Sequence, residues 1–224
     1  MRIHKAGTRP LFITALLMLV LSAAIVFAAL NFEFPQALAL LIFPVAFQIW
    51  AFTFFRYPDR SGFEHEPGKL YSAADGKVVL IEKLPATENE AERIQVSVFM
   101  SIYNVHLNYV PIDGKIIHST HIPGKHLMAI KPKASMLNEQ IETQIKTEAG
   151  QIITIRQIAG AAAKRVLSFV KAGQEVKAGD ELGFIRFGSR VDHIFPADAK
   201  IMTSVGEKVI ASSSVIAVIS EPSE

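Results

Sequence analysis

The chain has 224 residues, half of them hydrophobic, with a formal net charge of only +2 and no cysteine. The missing thiols exclude disulfides, thiolate nucleophiles and sulfur-rich metal sites, and a near balance of charge without a long basic run argues against a nucleic-acid partner. So high a hydrophobic share exceeds what one soluble domain of this size needs, so part of it belongs outside a water-soluble core.

The surplus sits at the N-terminus. Leu11 to Leu30 (LFITALLMLVLSAAIVFAAL) carries no charge, and at 1.5 Å per helical residue such a run spans roughly 30 Å, the thickness of a bilayer's hydrocarbon core. A second uncharged run, Ala37 to Phe55 (ALALLIFPVAFQIWAFTFF), follows at once. Its Pro44 and Gln48 are tolerable in a membrane helix whose neighbour satisfies the freed polar groups. MRIHKAGTR followed by an apolar run, with Val26-Phe27-Ala28 as a cleavage triplet, would also suit a signal peptide. The length of the first run and the second span behind it favour a two-helix membrane hairpin over residues 1–58. Arg2, Lys5 and Arg9 precede the first span, Glu33 is the only charge in the connection NFEFPQ, and Arg56 and Arg60 follow the second. The positive-inside rule then puts both ends, and all that follows, on the cytoplasmic side of the cell (inner) membrane. Trp50, Phe52, Phe54, Phe55 and Tyr57 are expected to form an interfacial belt.

From about Leu70 the pattern changes to short runs rich in Val, Ile and Phe between Gly, Pro and Asp turns: KVVLIEKL, RIQVSVFMS, GKIIHSTHI, QIITIRQI, ELGFIRF and SVIAVIS. Residues 59–224 therefore read as one mostly-β domain with a few short helices at most. Asn138 to Lys146 and Gly160 to Val170 are less clear and are compatible with helical turns. The segment Ala172 to Ile185 echoes Val205 to Val218, laying Gly173 on Gly206, Val176 on Val209, Ala178 on Ala211 and Leu182 on Val215. Two such turn-plus-strand units suit a β-sandwich or flattened barrel of lipoyl/biotinyl-like character.

Among the groups that could carry chemistry, His106 stands at a strand end before a Pro-x-Asp-Gly turn, where functional side chains are often displayed. His118, His121 and His126 lie close together in HSTHIPGKH, but without a carboxylate or thiol to complete a zinc set they read as surface or turn residues. His65 and His193 have no special context. Asp75 and Asp113 each precede a Gly before a strand, first of all a turn signal; a buried Asp can also orient a His that takes a proton from a Ser. In RFGSRVDHIFP, the Ser189 hydroxyl lies one residue beyond a carbonyl with no side chain guarding it. A tight turn at Gly188 could bring the two together. Attack would exchange the peptide bond for an ester, elimination would leave dehydroalanine, and hydrolysis would leave a pyruvoyl group at 189. As turn statistics alone go, Gly-Ser is an ordinary turn.

The surroundings point further. RFGSRVDHIFP resembles the processing site of the phosphatidylserine decarboxylase family, a Phe-Gly-Ser-Arg-Val-Asp segment cleaved between Gly and Ser. FFRYPDR (Phe54 to Arg60) is similar to that family's Phe-Phe-Arg-Asp-Pro-x-Arg, YSAADGKV to its Ser-Pro-Ala-Asp-Gly, NVHLNYVPIDGKI to its His-x-Asn-x-x-Pro-x-Asp-Gly, and PKASMLNEQ to its Lys-Ala-Ser-x-x-Asn-Glu segment. The resemblance covers residue 54 to about 200 in family order and is to the short bacterial or archaeal type. Tyr57 replaces the usual Asp, Ala73 the usual Pro, Tyr109 a commonly basic residue and His193 a usually apolar one; the last two bear on headgroup or lipid recognition.

The resemblance implies a processing set of Ser189, His106 and Asp75, self-cleavage between Gly188 and Ser189, and a pyruvoyl cofactor derived from Ser189 with no metal. The two chains would remain associated, with a homo-oligomer also compatible. It further implies decarboxylation of phosphatidylserine, or an archaeal-type serine phospholipid, through a Schiff base with the pyruvoyl group. One rival is a membrane-tethered lipoyl/biotinyl-like carrier modified at Lys133 in PKAS, which lacks the acidic flanks of such a turn. Another is a serine hydrolase using the same three residues without a G-x-S-x-G elbow.

Overall fold

The computed structural model describes residues 2–32, 34–60, 62–87, 91–125, 127, 137–160, 166–186 and 189–219. The chain divides into two compact units, Met1–Pro58 and Asp59–Glu224.

In the first unit a two-residue strand β1 (Arg2–Ile3) pairs antiparallel with β2 (Arg56–Tyr57). Between them run helix α1 (Thr8–Asn31), a 3-10 stretch Pro35–Leu41 and helix α2 (Ile42–Phe54). Lys5–Asn31 and Pro35–Phe54 are both long and apolar enough to cross a membrane. Leu16, Leu19, Val20 and Phe27 of α1 are exposed, as expected of a helix that is apolar all round. Within the apolar run, Thr14 Oγ1 donates to the Leu11 carbonyl and Ser22 Oγ to the Met18 carbonyl, so these hydroxyls need no partner outside the helix. Pro44 falls in the first turn of α2, where a helix tolerates proline best. The aromatic belt is narrower than the sequence suggests: Phe54 and Phe55 are buried, stacked edge to face with centroids 5.1 Å apart. Gly7 packs on Phe55 so closely that a Cβ there would lie 2.5 Å from the Phe55 Cβ.

The second unit is made of strands β3 (Lys69–Tyr71), β4 (Gly76–Leu84), β5 (Arg93–Met100), β6 (Leu107–Tyr109), β7 (Gly114–Ile122), β8 (Gln140–Lys146), β9 (Ile152–Ala159), β10 (Val166–Ser168), β11 (Glu175–Val176), β12 (Glu181–Ile185), β13 (Ser189–Pro196), β14 (Lys200–Ile201), β15 (Lys208–Val209) and β16 (Val215–Val218). An eight-stranded antiparallel sheet has the order β11-β7-β8-β9-β13-β5-β4-β15, and two three-stranded sheets have the orders β10-β12-β6 and β14-β16-β3. The fold is thus mostly β with two apolar N-terminal helices. Each run read as a strand from its Val/Ile/Phe content is one. Asn138 to Lys146 is a correction, because from Gln140 it is strand and not helical turn. Its Ile141, Thr143 and Ile145 are buried in alternation with less buried Glu142 and Gln144, a period of two that its Gln and Glu content obscures. Val166–Ser168 within the other ambiguous segment is also strand.

β13 sits inside the large sheet, paired in continuous register with β5 from Ser189↔Met100 to Pro196↔Arg93 and with β9 from Ser189↔Ala159 to Ile194↔Thr154. Residues directly opposite share a face. Ser189, Val191, His193 and Phe195 thus lie with Met100, Val98, Val96 and Ile94. Most of these apolar residues belong to the main hydrophobic core. Arg190 and Asp192 point to the opposite face. They are also buried, and Arg190 Nε donates to Asp192 Oδ1 at 2.6 Å while Nη2 donates to Ser97 Oγ at 2.6 Å. A charge is tolerable there only because its partner is beside it.

The echo within the sequence is a structural repeat at the two ends of the large sheet. Gly206 N–H donates to the Val78 carbonyl and Val78 N–H to the Glu207 carbonyl; equivalently, Gly173 N–H donates to Ile116 and Ile116 N–H to Gln174. Gly173 and Gly206 both have left-handed backbone, φ 89° and 95°, which glycine adopts without a Cβ penalty. Asp113 Oδ1 accepts the Ala178 N–H at 2.7 Å, and Asp75 Oδ1 the Ala211 N–H at 2.8 Å. Both aspartates are therefore turn residues, and what separates them is what else each one holds.

Candidate active site

Ser189 opens β13 and is fully buried. Its hydroxyl donates to the Met100 thioether at 3.1 Å, an acceptor much weaker than a carbonyl or carboxylate. Phe187 and Gly188 lie outside the described residues. Asn108 of β6 donates from Nδ2 to the same Met100 sulfur at 3.6 Å, and Gln157 of β9 donates from Nε2 to Asn108 Oδ1 at 2.8 Å. Both amides are fully buried. Residues from β13, β5, β6 and β9 thus converge on the serine.

His106 is fully buried two residues before Asn108, with Nδ1 3.0 Å from the Asn104 carbonyl. Its own carbonyl accepts the Ile185 N–H at 3.2 Å, which sets it beside the last residue of β12, the strand that leads towards Ser189. Asp75 receives both carboxylate bonds from Arg60 Nη2, at 2.7 and 2.8 Å, besides the Ala211 N–H. The Arg60 guanidinium also donates to the Ala211 carbonyl and lies over the Tyr109 ring, 4.7 Å from its centroid. The Tyr109 N–H donates to the Ala73 carbonyl at 2.9 Å, so the segment carrying His106 runs alongside the one carrying Asp75. The bonds described for the Asp75 carboxylate run to Arg60 and Ala211, and that of the Ser189 hydroxyl runs to Met100.

Two departures from the family pattern explain each other. The Ala73 N–H donates to His193 Nε2 at 2.8 Å inside the core, and His193 Nδ1 lies 3.2 Å from the Val96 carbonyl. A proline at 73 has no N–H and needs no acceptor, so an apolar residue suffices at 193; alanine at 73 brings a donor that must be satisfied where water is excluded. The neutral ring, protonated on Nδ1 and accepting on Nε2, does this. Burial, outweighing the Val96 bond and the nearby Asp192 charge, pushes the His193 pKa down from 6.5 to about 4. Below pH 6.5 the unfolded chain binds a proton that the native state refuses. Stability is therefore whole above about 6.5 and falls as the pH drops to about 4, by at most about 3 kcal/mol. His193→Leu is expected to destabilise by about 1–3 kcal/mol through the orphaned Ala73 N–H. Adding Ala73→Pro should recover most of it, as read from denaturation midpoints of the two single variants and the double one. At Tyr109, a basic residue would set a like charge against Arg60, whereas the aromatic face attracts the guanidinium.

The remaining histidines have other roles. His65 Nε2 lies 2.9 Å from both Ser212 Oγ and the Ser212 carbonyl, with its ring edge-on to Tyr71. His118 and His121 are exposed on β7, so they are surface residues on a strand and not in a turn; His121 pairs with Glu139 at 3.0 Å. His126 and Lys133 lie outside the described residues. No group of three metal-binding side chains occurs among the described residues. Sequence reasoning missed Met100 and Gln157, and it named neither Asn108 nor Arg60 as part of a site. Asn108 and Arg60 lie inside quoted motifs, which was the available signal; the other two are legible only through strand pairing.

The family model for phosphatidylserine decarboxylase matches residues 47–217. Three curated relatives carry the description phosphatidylserine decarboxylase proenzyme. The one from Cytophaga hutchinsonii is 39% identical, covering 97% of this chain and 98% of its own length. Those from Amoebophilus asiaticus and Phocaeicola vulgatus are 38% and 36% identical, covering 100% and 96% of this chain and 99% and 94% of theirs. With a serine opening the central strand, a histidine immediately before β6 and a family match across both, the chain belongs to the phosphatidylserine decarboxylase family.

Proposed function

We propose that this chain is a proenzyme that cuts its own backbone between Gly188 and Ser189, and that the two products stay together as a decarboxylase of phosphatidylserine or a related serine phospholipid. The observation that carries this reading is the position of Ser189, which is buried at the head of a strand bonded on both sides, with its hydroxyl on nothing stronger than a thioether among the described residues. A weakly held hydroxyl is easily redirected to a neighbouring carbonyl. A cut directly before β13, with loss of the 189 nitrogen, leaves the ladder bonds of that strand from Arg190 onward in place, so the small chain has no reason to dissociate.

His106 accepts the Ser189 proton as Oγ adds to the Gly188 carbonyl. Asp75 is the orienting carboxylate of the set; the adjacency of its segment to β6 supports this, and its bonds to Arg60 and Ala211 must be exchanged or shared when it acts. The pocket fits a pyruvoyl group at 189: it is closed to water, a three-carbon keto acyl unit is no larger than serine, and an amide donor stands nearby on Asn108. When formed there, the group supplies a ketone that captures the substrate's amine and draws electrons from the carbon that loses carbon dioxide. His106 then returns a proton to that carbon. The N-terminal helices bring the site to the cytoplasmic face of the cell membrane, where a two-chain lipid stays.

The reading is tested by giving detergent-solubilised protein phosphatidylserine labelled at the serine carboxyl. Label should appear as carbon dioxide with an equal yield of ethanolamine lipid. Release of headgroup or fatty acid without carbon dioxide would point to a hydrolase, and no reaction to a carrier.

A further inference from the structure

Two polar groups beside Ser189 are poorly used. Asn108 Nδ2 spends a strong donor on a thioether 3.6 Å away, and Gln157 Oε1, fully buried, has no hydrogen-bond partner among the described residues. An unmet buried acceptor of this kind costs about 1–3 kcal/mol, so its retention calls for a reason. Gly183 borders the arrangement: a Cβ there would run into the Leu167 carbonyl oxygen and lie 2.6 and 2.8 Å from the two amide atoms of Gln157, so a side chain would press on both the β10 backbone and the amide. Asn108 and Gln157 thus form a rigid amide couple presenting one donor and one acceptor in the space that Ser189 shares through Met100.

We propose that this couple is the receiving site for the substrate's headgroup amine. Asn108 donates to the keto oxygen that forms on the α-carbon of residue 189, where the departing amino nitrogen stood, and Gln157 Oε1 accepts an N–H of the amine that approaches. The Met100 sulfur holds Asn108 in the precursor, when no stronger acceptor exists; conversion turns the hydroxymethyl into a methyl and creates that acceptor one carbon away. The inference rests on the pyruvoyl reading of position 189. It adds a requirement that reading does not make: the amide couple serves the finished ketone and not backbone cleavage.

Hydroxylamine, a small amine-like nucleophile, serves as the probe on the full-length protein, and trapping of the small chain is followed by mass with no lipid present. Asn108→Leu is expected to cleave into two chains as the unaltered protein does but to be trapped about 100-fold more slowly, the scale on which one preorganised donor acts. Gln157→Leu, which keeps the Asn108 Nδ2 donor but removes the bond to its Oδ1, should also cleave and be trapped about 10-fold more slowly. Trapping of both variants at the unaltered rate overturns the proposal. So does a failure of both to cleave, which would assign the couple to processing. If the unaltered protein itself is not trapped and keeps serine at 189, it is the pyruvoyl reading that has failed.

Discussion

Ser189→Ala is expected to give one uncleaved chain of 224 residues and no detectable carbon dioxide from phosphatidylserine. The hydroxyl is the only nucleophile proposed for the backbone cut, and the β-carbon oxygen it carries is needed for the elimination that makes the ketone. Alanine supplies neither. The loss of turnover should be on the order of 10⁶-fold, as when the covalent group of a hydrolase is deleted. The fold should be little affected, because Ser189 gives up only one weak bond to Met100 and its ladder partners on β5 and β9 are backbone. A variant that is uncleaved yet unfolds at the unaltered midpoint separates chemistry from structure. A variant that still splits at this position would remove Ser189 from the account.

His106→Ala is expected to accumulate as precursor, with cleavage about 10²- to 10⁴-fold slower, the usual contribution of a positioned general base. A time course of chain splitting on a denaturing gel reads this directly. Normal cleavage would strip His106 of the base role. Asp75 requires a paired comparison because Arg60 holds it in this structure. If Asp75 orients His106, Asp75→Asn slows cleavage while Arg60→Met has the smaller effect. Equal slowing by the two would make the ion pair a local brace under Tyr109 and nothing more.

Much of this architecture can be read from the residues themselves. The apolar runs give the helices, the Val/Ile/Phe runs give the strands, and the echo between 172–185 and 205–218 gives the repeat, down to the matched left-handed backbone at Gly179 and Ser212, φ 90° and 65°. Local patterns carry that information because they report which side of an element is buried. Strand β8 escaped because Gln140, Glu142 and Gln144 favour helix by composition, and the alternation of Ile141, Thr143 and Ile145 must outweigh them. Part of the site was unreadable for a different reason. The Arg60–Asp75 pair, the Ala73–His193 bond and the Asn108–Gln157 bond join residues 15, 120 and 49 positions apart. Only the tertiary fold, through strand pairing and the turns between strands, makes such residues neighbours. Arg190 and Asp192 look like surface charges in a strand with one wet face, yet both faces of β13 are covered.

The most direct check is the mass of the two products in protein that is active on lipid. Self-conversion of Ser189 requires a large chain ending in the Gly188 carboxylate and a small chain, starting at 189, that lacks an amino terminus and gains mass with hydroxylamine. Active protein that is a single chain, or whose small chain begins with an unmodified serine, would contradict it.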